Sequence, residues 1–353
     1  MMLKNKSQRW IFAVIGIFIA VLFSIRVFAE GPIVNIYGWS NEVPEEAIRQ
    51  FENETGIKVN FSTYENNEVM YSKLRATKNA GYDIIMPSSY FVDRMHRQDM
   101  LEPIDKSKLS NWKNLNPELL NPAYDPHSQY SIPLIWGITG MFINTHYFPA
   151  HSLSKWSDLW NSKYNNQLLM LDDTREMFSM ALMSLGYSAN DQDPAHIKQA
   201  FERLQTLMPN VKVFASDAVA SILIDEDASI GMAWNGDVFK SSQENPNISF
   251  VFPKEGFVIW VDTFAIPANA PHKKEAYAFL NFMLRADVAK QVAYYTSFAI
   301  ANAAGQQLLP AKIRNNPTVY PPQSVLKHGQ FQTDLRDDTL ELYEKYWEEL
   351  KMG

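Results

Sequence analysis

The sequence predicts an α/β protein whose mostly parallel sheets are divided between two lobes. Short apolar segments alternate with amphipathic ones from residue 33 onwards, and the same alternation resumes after residue 140. The chain has 353 residues, of which 46% are hydrophobic, so it can bury substantial cores but is long for a single one. Two α/β units are therefore expected.

The first run of elements carries ordinary start and stop signals. Residues 33–37 are apolar and predict a strand, and residues 57–64 alternate as a second strand does. Pro44 suits the first turn of a helix, and Gly56 suits its end. The predicted elements of this run are strands at 33–37, 57–64 and 82–86 and helices at 45–54 and 67–79.

The second run extends from residue 168 to about residue 295. Two apolar segments, 132–137 and 250–260, are candidates for strands that cross between the lobes. The predicted strands of the second run are 168–171, 211–214, 230–234, 248–252 and 258–261, and its predicted helices are 174–185, 194–207, 272–284 and 287–295.

Residues 1–29 have the layout of a secretory signal peptide. Lys4, Lys6 and Arg9 precede a nearly unbroken apolar run at residues 10–25, and Ala29 suits a signal-peptidase site. We predict export to the periplasm with cleavage after Ala29. An uncleaved anchor is the alternative, although the apolar run is shorter than the ~20 residues that span a bilayer. The chain has no cysteine, so it can form neither a disulfide nor a lipid-modified thiol.

The net charge of the chain is −7, and the leader is basic, so the exported part is more acidic still. An acidic chain repels nucleic acid, and no nucleic-acid partner is expected. The acidity would attract a small cation, but it would equally keep an exported protein in solution. Charge alone leaves both interpretations open.

Aromatic and acidic residues recur at the ends of the predicted strands. Ligands of open α/β sheets bind beyond the carboxyl ends of the strands, so these positions are candidates for a site. Each residue alone is more often structural; Asp173 and Glu176, for example, have the spacing of a helix N-cap and its partner. The strand-end candidates are Trp39, Ser40, Asn41, Glu42, Ser88, Tyr90, Asp173, Glu176, Trp234, Trp260 and Asp262.

A site of this composition suits an organic polycation. Carboxylates accept hydrogen bonds from ammonium groups, and aromatic rings offer both an apolar wall and cation–π attraction to the chain between them. Polyamines fit this description better than amino acids do, because an amino-acid carboxylate calls for arginine and Arg175 is the only one among these strand-end segments.

Common enzyme motifs are absent from the sequence, including G-x-S-x-G, H-E-x-x-H and the phosphate-binding glycine loops. The seven histidines are scattered, so neither a metal site nor a cofactor is expected. A hydrolase that uses two carboxylates, such as Asp173 and Glu176, is the alternative to a binding protein.

Four segments resemble the periplasmic spermidine/putrescine-binding proteins of polyamine ABC importers: 61–71, 82–90, 230–236 and 260–267. The resemblance extends over essentially the whole mature chain. It implies a type II periplasmic binding protein fold, in which two lobes joined by a hinge close on the ligand. It also implies discontinuous lobes, with residues 30–137 and 260–303 in the N-terminal lobe and residues 138–259 and 304–353 in the C-terminal lobe.

The resemblance also implies roles for the site residues. Asp173, Glu176 and Asp262 would hold the amines, while Tyr90, Trp234 and Trp260 would flank the methylene chain. Two further positions, Phe298 and Gln332, join the strand-end candidates in the cleft.

Three positions depart from the family pattern. The family segment Trp-Thr-Glu-Tyr is Trp39-Ser40-Asn41-Glu42 in this chain, which moves a carboxylate by one place and removes an aromatic wall. A family tyrosine is Phe298, which keeps the ring and loses the hydroxyl. These departures keep open a binding protein of the same fold for another cationic or polar solute. The implied partners are a polyamine and an integral-membrane ABC permease, and a monomer is expected.

Overall fold

A computed structural model describes residues 31–77 and 81–352. The predicted signal peptide at residues 1–29, with its cleavage position after Ala29, lies outside the described residues. None of the helices within the described ranges combines the length and the hydropathy that crossing a bilayer requires. The first described element is a strand that begins at Ile33.

Strands and helices follow one another largely where the sequence predicts them. The strands are β1 (Ile33–Trp39), β2 (Lys58–Tyr64), β3 (Ile84–Ile85), β4 (Ser131–Asn144), β5 (Leu168–Met170), β6 (Val211–Phe214), β7 (Ile230–Trp234), β8 (Ile248–Val251), β9 (Phe257–Ala265), β10 (Ala299–Ile300) and β11 (Gly329–Phe331). The helices are α1 (Glu45–Thr55), α2 (Asn67–Thr77), α3 (Ser89–Arg97), α4 (Thr174–Ser184), α5 (Pro194–Leu207), α6 (Val219–Ile224), α7 (Asn235–Glu244), α8 (Lys273–Met283), α9 (Ala286–Thr296), α10 (Ala303–Gln307), α11 (Ala311–Arg314), α12 (Gln323–Leu326) and α13 (Asp337–Met352).

Two parallel groups of strands are joined by an antiparallel pair. In the first group β1 pairs in parallel with β2 and β3, and in the second β5 pairs in parallel with β6 and β7. The long strands β4 and β9 lie between the groups and pair antiparallel to each other. β3 pairs with β9 at Ala265, and β7 pairs with β4, which gives the order β2-β1-β3-β9-β4-β7-β5-β6. β4 and β9 therefore run from one parallel group to the other.

The predicted crossing segment at 250–260 is wrong in its boundaries. β8 ends at Val251, a turn occupies the chain around Pro253 and Gly256, and a new strand begins at Phe257. Gly256 has φ 106°, a left-handed backbone conformation that residues other than glycine rarely adopt. β9 then continues to Ala265, four residues beyond the predicted strand end at 261, because its whole length is paired and buried.

Aromatic side chains hold the helices against these strands. In the first group Phe51 of α1 packs edge-on against Phe279 of α8, with ring centroids 5.1 Å apart. In the second group Tyr343 of α13 stacks on Phe178 of α4 at 4.5 Å. Burying rings of this size is among the largest contributions that single side chains make to stability. The packing of α13 against α4 fixes the position of the α4 N-terminus.

A buried ion pair ties α3 to the segment that precedes α13. Arg94 is 7% exposed, and its Nε donates to Asp334 Oδ1 at 2.7 Å. A second donor of the same guanidinium, Nη2, bonds the carbonyl oxygen of Leu335 at 2.6 Å. The contact joins residues that are 240 positions apart in the chain. It therefore fixes the C-terminal segment against the first group of strands.

Replacing Arg94 with methionine should lower the free energy of unfolding by about 3 kcal/mol, because the mostly buried Asp334 loses its buried partner and keeps only the exposed Arg97. The matched control is Arg49→Met, whose ion pairs with Glu45 and Glu46 are exposed and should contribute less than about 1 kcal/mol. Denaturant unfolding of the two variants measures both values. Equal destabilisation would show that the Arg94 contact is no stronger than a surface pair.

Candidate ligand-binding site

All thirteen residues predicted for the site line one cavity of about 180 Å³. They come from the ends of β1, β3, β5 and β7, from the middle of β9, and from loops late in the chain. Ser40 and Asn41 are exposed, whereas Tyr90, Glu176, Trp260, Asp262 and Gln332 are buried. The predicted residues in the cavity wall are Trp39, Ser40, Asn41, Glu42, Ser88, Tyr90, Asp173, Glu176, Trp234, Trp260, Asp262, Phe298 and Gln332.

Trp260 and Asp262 reach the cavity by a route that differs from the prediction. They lie inside β9 rather than after its end, since the strand continues to Ala265. Because β9 runs antiparallel to β3, the residues that precede Ala265 extend past the carboxyl end of β3. Asp262 consequently forms a β-bridge with Ser88, just beyond β3. The two strands therefore reach the same edge from opposite directions.

Ser88, Asp262 and Glu42 form a hydrogen-bonded group in the cavity wall. Ser88 Oγ donates to Asp262 Oδ1 at 2.5 Å, although its position before α3 would also suit a helix-capping side chain. Glu42 and Asp262 share a hydrogen bond between their carboxyl groups. Desolvation raises the pKa of Asp262 to about 6. Desolvation, followed by the charge of Asp262, raises the pKa of Glu42 well above its usual range.

Asp173 and Glu176 bring further carboxyl groups from the start of α4. Asp173 caps this helix, because its side chain accepts a hydrogen bond from the Glu176 N–H at 2.9 Å. The structural role expected for Asp173 is therefore confirmed. Glu176 does more than pack: it is 5% exposed, and its Oε2 is buried without a hydrogen-bond partner among the described residues. Burial, with Asp173 as the next cause, raises the pKa of Glu176 well above its usual range.

The aromatic walls depend on two glycines. Trp260 and Phe298 pack edge-to-face with ring centroids 4.9 Å apart. A Cβ atom on Gly137 would lie 2.3 Å from the Trp260 ring, and one on Gly236 would lie 2.2 Å from the Phe298 ring. Any larger residue at either position would therefore displace a ring from the wall.

Several buried polar atoms of the cavity wall have no hydrogen-bond partner among the described residues. Leaving such an atom unpaired costs about 1–3 kcal/mol, which a bound solute can recover by completing the hydrogen bond. Carboxyl oxygens among them are acceptors, and indole and amide nitrogens are donors. These atoms are Trp39 Nε1, Glu42 Oε2, Glu176 Oε2, Ser216 Oγ, Trp260 Nε1 and Gln332 Nε2. Their convergence on one cavity makes it the candidate binding site.

Sequence reasoning missed five residues of the wall. The most informative is Asp237, a half-buried carboxyl in the first turn of α7. Burial raises its pKa to about 7. Its position three residues after Trp234 could have extended the strand-end candidates. Asn67 gives no comparable sequence signal; its Nδ2 donates to Ser88 Oγ and to Tyr90 Oη, each at 3.1 Å. The missed residues are Glu65, Asn67, Ser216, Asp217 and Asp237.

A wider cleft of about 670 Å³ adjoins the cavity and shares Glu65, Asp173, Ser216 and Asp217 with it. Acidic side chains from α2, from the turn before α4 and from α13 line this cleft together with the bases Arg175 and Lys351. Burial raises the pKa of one of these acids, Glu68, to about 7. No cluster of three or more residues in the described ranges is arranged to hold a metal ion. Six acidic and two basic side chains line the cleft, so its electrostatic field attracts cations.

The chain belongs to a family of bacterial extracellular solute-binding proteins, whose sequence profile matches residues 46–321. Its fold is that of the type II periplasmic binding proteins. The relatives are solute-binding proteins of transporters rather than enzymes, which removes the carboxylate-dependent hydrolase that the sequence left open.

Individual relatives cover most of the chain. The spermidine/putrescine-binding periplasmic protein of Escherichia coli is 45% identical over 317 residues, which span 90% of this chain and 91% of that protein. A Haemophilus influenzae protein, spermidine/putrescine-binding periplasmic protein 1, is 40% identical over 92% of this chain and 90% of its own length.

Solved structures extend the comparison. A chain from Listeria monocytogenes superposes with a TM-score of 0.87 at 34% identity, over 91% of this chain and 99% of that one. The spermidine/putrescine ABC transporter substrate-binding protein of Streptococcus pneumoniae superposes with a TM-score of 0.77 at 32% identity, with the same coverage.

The stability of the ligand-free protein should fall as the pH rises from about 5 to about 7. Glu68, Asp237 and Asp262 have raised pKa values in the folded state, so they bind protons more tightly when folded than when unfolded. Their contribution is complete below the unfolded pKa and is lost as the pH rises through the folded pKa. Between about pH 5 and pH 7, the free energy of unfolding of Asp237→Asn should fall by about 1 to 2 kcal/mol less than that of wild type.

Thermal or denaturant unfolding at several pH values measures this dependence. The control is Asp225→Asn, which changes an exposed aspartate directly after α6 and should leave the slope unaltered. A slope that is the same in wild type and in Asp237→Asn would contradict the assignment.

Proposed function

We propose that this protein is the substrate-binding component of an ABC importer and captures polyamines, spermidine or putrescine or both, for delivery to a membrane permease. The observation that carries the proposal is the composition of the cavity. It combines carboxyl groups from separate elements, Glu42 and Asp262 on one part of the wall and Asp173 and Glu176 on another, with the rings of Trp39, Trp234 and Trp260.

A polyamine fits this cavity because its ammonium groups alternate with apolar methylene segments. Each ammonium group needs acceptors when it leaves water, and the carboxyl groups supply them. The methylene segments need apolar contact, which the indole and phenyl faces provide together with about 0.5–2 kcal/mol of cation–π attraction per close contact. The names of the E. coli and S. pneumoniae relatives support the same ligand class.

The proposed cellular setting combines the periplasmic location of the relatives with the predicted leader and acidity of this sequence. The protein acts in the periplasm after the signal peptide is cleaved behind Ala29, and it works as a monomer that binds no nucleic acid. The proposed lobes are residues 30–137 with 260–303 and residues 138–259 with 304–353. They close on the ligand by bending where β4 and β9 cross, and the permease recognises the closed form.

A thermal-shift screen tests the ligand class. Spermidine and putrescine should stabilise the purified mature protein, since a ligand at 100 times its dissociation constant adds about 2.7 kcal/mol to the free energy of unfolding. Spermine, cadaverine, amino acids and sugars complete the panel. Stabilisation by one of these and by neither spermidine nor putrescine would favour the same fold serving another solute.

Asp262→Asn should weaken polyamine binding at least about 30-fold, because removing a buried carboxyl that pairs with an ammonium costs about 2 kcal/mol or more. Titration calorimetry measures the dissociation constant. Asp225→Asn serves as the control, since it removes the same charge from an exposed turn. An unchanged affinity in Asp262→Asn would mean that this carboxyl does not contact the ligand.

A further inference from the structure

The Glu42–Asp262 pair is the feature of the cavity that the proposed function leaves unexplained, because one carboxylate would suffice for one ammonium group. Ser88 Oγ accepts a hydrogen bond from Asn67 Nδ2 at 3.1 Å and donates its own hydrogen to Asp262 Oδ1 at 2.5 Å. The serine therefore satisfies one oxygen of Asp262 and has no hydrogen left for Glu42. Glu42 bonds to Asp262, and its Oε2 is buried without a partner among the described residues.

The titratable groups that face this pair are acids and phenols. Glu176 of α4 interacts with Asp262 through its charge, Tyr64 at the end of β2 interacts with both carboxyls, and Tyr124 interacts with Asp262. The Tyr64 hydroxyl is already donated to the carbonyl oxygen of Met86. None of these groups supplies a positive charge. Two buried carboxylates that interact through their charges repel each other, and a single proton held between them relieves that repulsion.

We propose that Glu42 and Asp262 hold one shared proton in the ligand-free protein and exchange it for a primary ammonium group when the ligand binds. This inference rests on the proposed function for the identity of the ligand as a polyamine. The shared proton leaves to solvent, the ammonium keeps its three protons, and two of its N–H groups donate to Glu42 and Asp262. No covalent bond is formed or broken except those to the exchanged proton.

The exchange keeps the charge of the subsite constant. Two carboxyls with one proton carry a single negative charge, and two carboxylates with one ammonium carry the same charge. The cavity therefore takes up a cation without a change in the charge that its low-dielectric surroundings must tolerate. Putrescine acetylated at both ends has no ammonium in either orientation, so it cannot displace the proton from this pair.

The consequence is that binding releases protons and weakens on acidification. Putrescine remains doubly protonated near pH 7, because amines of this kind have pKa values close to that of lysine. Any released proton therefore comes from the protein. We expect wild type to release about one proton more per bound putrescine than Glu42→Gln does. This one proton should weaken the affinity of wild type for putrescine about tenfold for each pH unit of acidification.

Titration calorimetry of putrescine near pH 7, in buffers with different ionisation enthalpies, measures the number of protons released. Asp237 also has a raised pKa, so the comparison is repeated with Asp237→Asn in both proteins. The protein that also carries Glu42→Gln should still release about one proton fewer than the one that keeps Glu42. Circular dichroism confirms that each variant is folded. An equal proton count with glutamate or glutamine at this position overturns the proposal.

Infrared difference spectroscopy gives a second readout that does not require the variant to bind. Wild type should show a carbonyl stretch of a protonated carboxylic acid that is missing from ligand-free Glu42→Gln. Addition of putrescine to wild type should remove this band, and N,N′-diacetylputrescine should leave it in place. Retention of that band with putrescine bound would overturn the shared proton. Failure of wild type to bind any polyamine is a different result, because it would overturn the proposed function itself.

Discussion

The antiparallel pairing of β4 with β9 is the constraint on which the site depends. The register runs from Ser131 opposite Ala265 to Thr139 opposite Val258, and it places Asp262 opposite Ile135. One end of this ribbon meets the strand group of β1 to β3, and the other meets that of β5 to β7. A shift by one residue would turn Asp262 and Trp260 to the other face of the sheet, because side chains alternate along a strand. The binding chemistry is thus set by backbone register before any ligand arrives.

The buried carboxyl groups of the cavity also destabilise the ligand-free protein. Carboxyl groups at Glu42, Asp173, Glu176, Asp237 and Asp262 are desolvated, and each has a raised pKa as a result. A protein optimised for stability alone would pair such groups with bases or replace them with apolar residues. Among the described residues no base forms an ion pair with these carboxyls, although the charge of the buried Arg175 acts on Asp173 and Glu176. A cationic ligand supplies the missing counter-charge, so affinity for the ligand and instability of the ligand-free site share one origin.

Much of the local structure could be predicted from single segments. Strand ends marked Trp39, Ser88 and Trp234, and the Asp173 cap of α4 followed from the spacing of two acids. The resemblance to a known family added Phe298 and Gln332, which no strand-end rule would select. Asn67 was missed because its role is to bond Ser88 and Tyr90, which are distant from it in sequence. The true extent of β9 was missed because its last residues are paired through contacts with β3 and β4 rather than through their own pattern.

The sequence by itself determined the α/β class, most helix and strand positions and the chemical character of the site, because periodicity, caps and residue type act within a few residues of each other. Only the tertiary structure decided which of those residues meet. It brings Glu42, from the turn after β1, against Asp262, from the middle of β9, and so gives two ordinary carboxyls a shared hydrogen bond and raised pKa values. Burial and proximity are properties of the folded chain, and local residue patterns do not specify them.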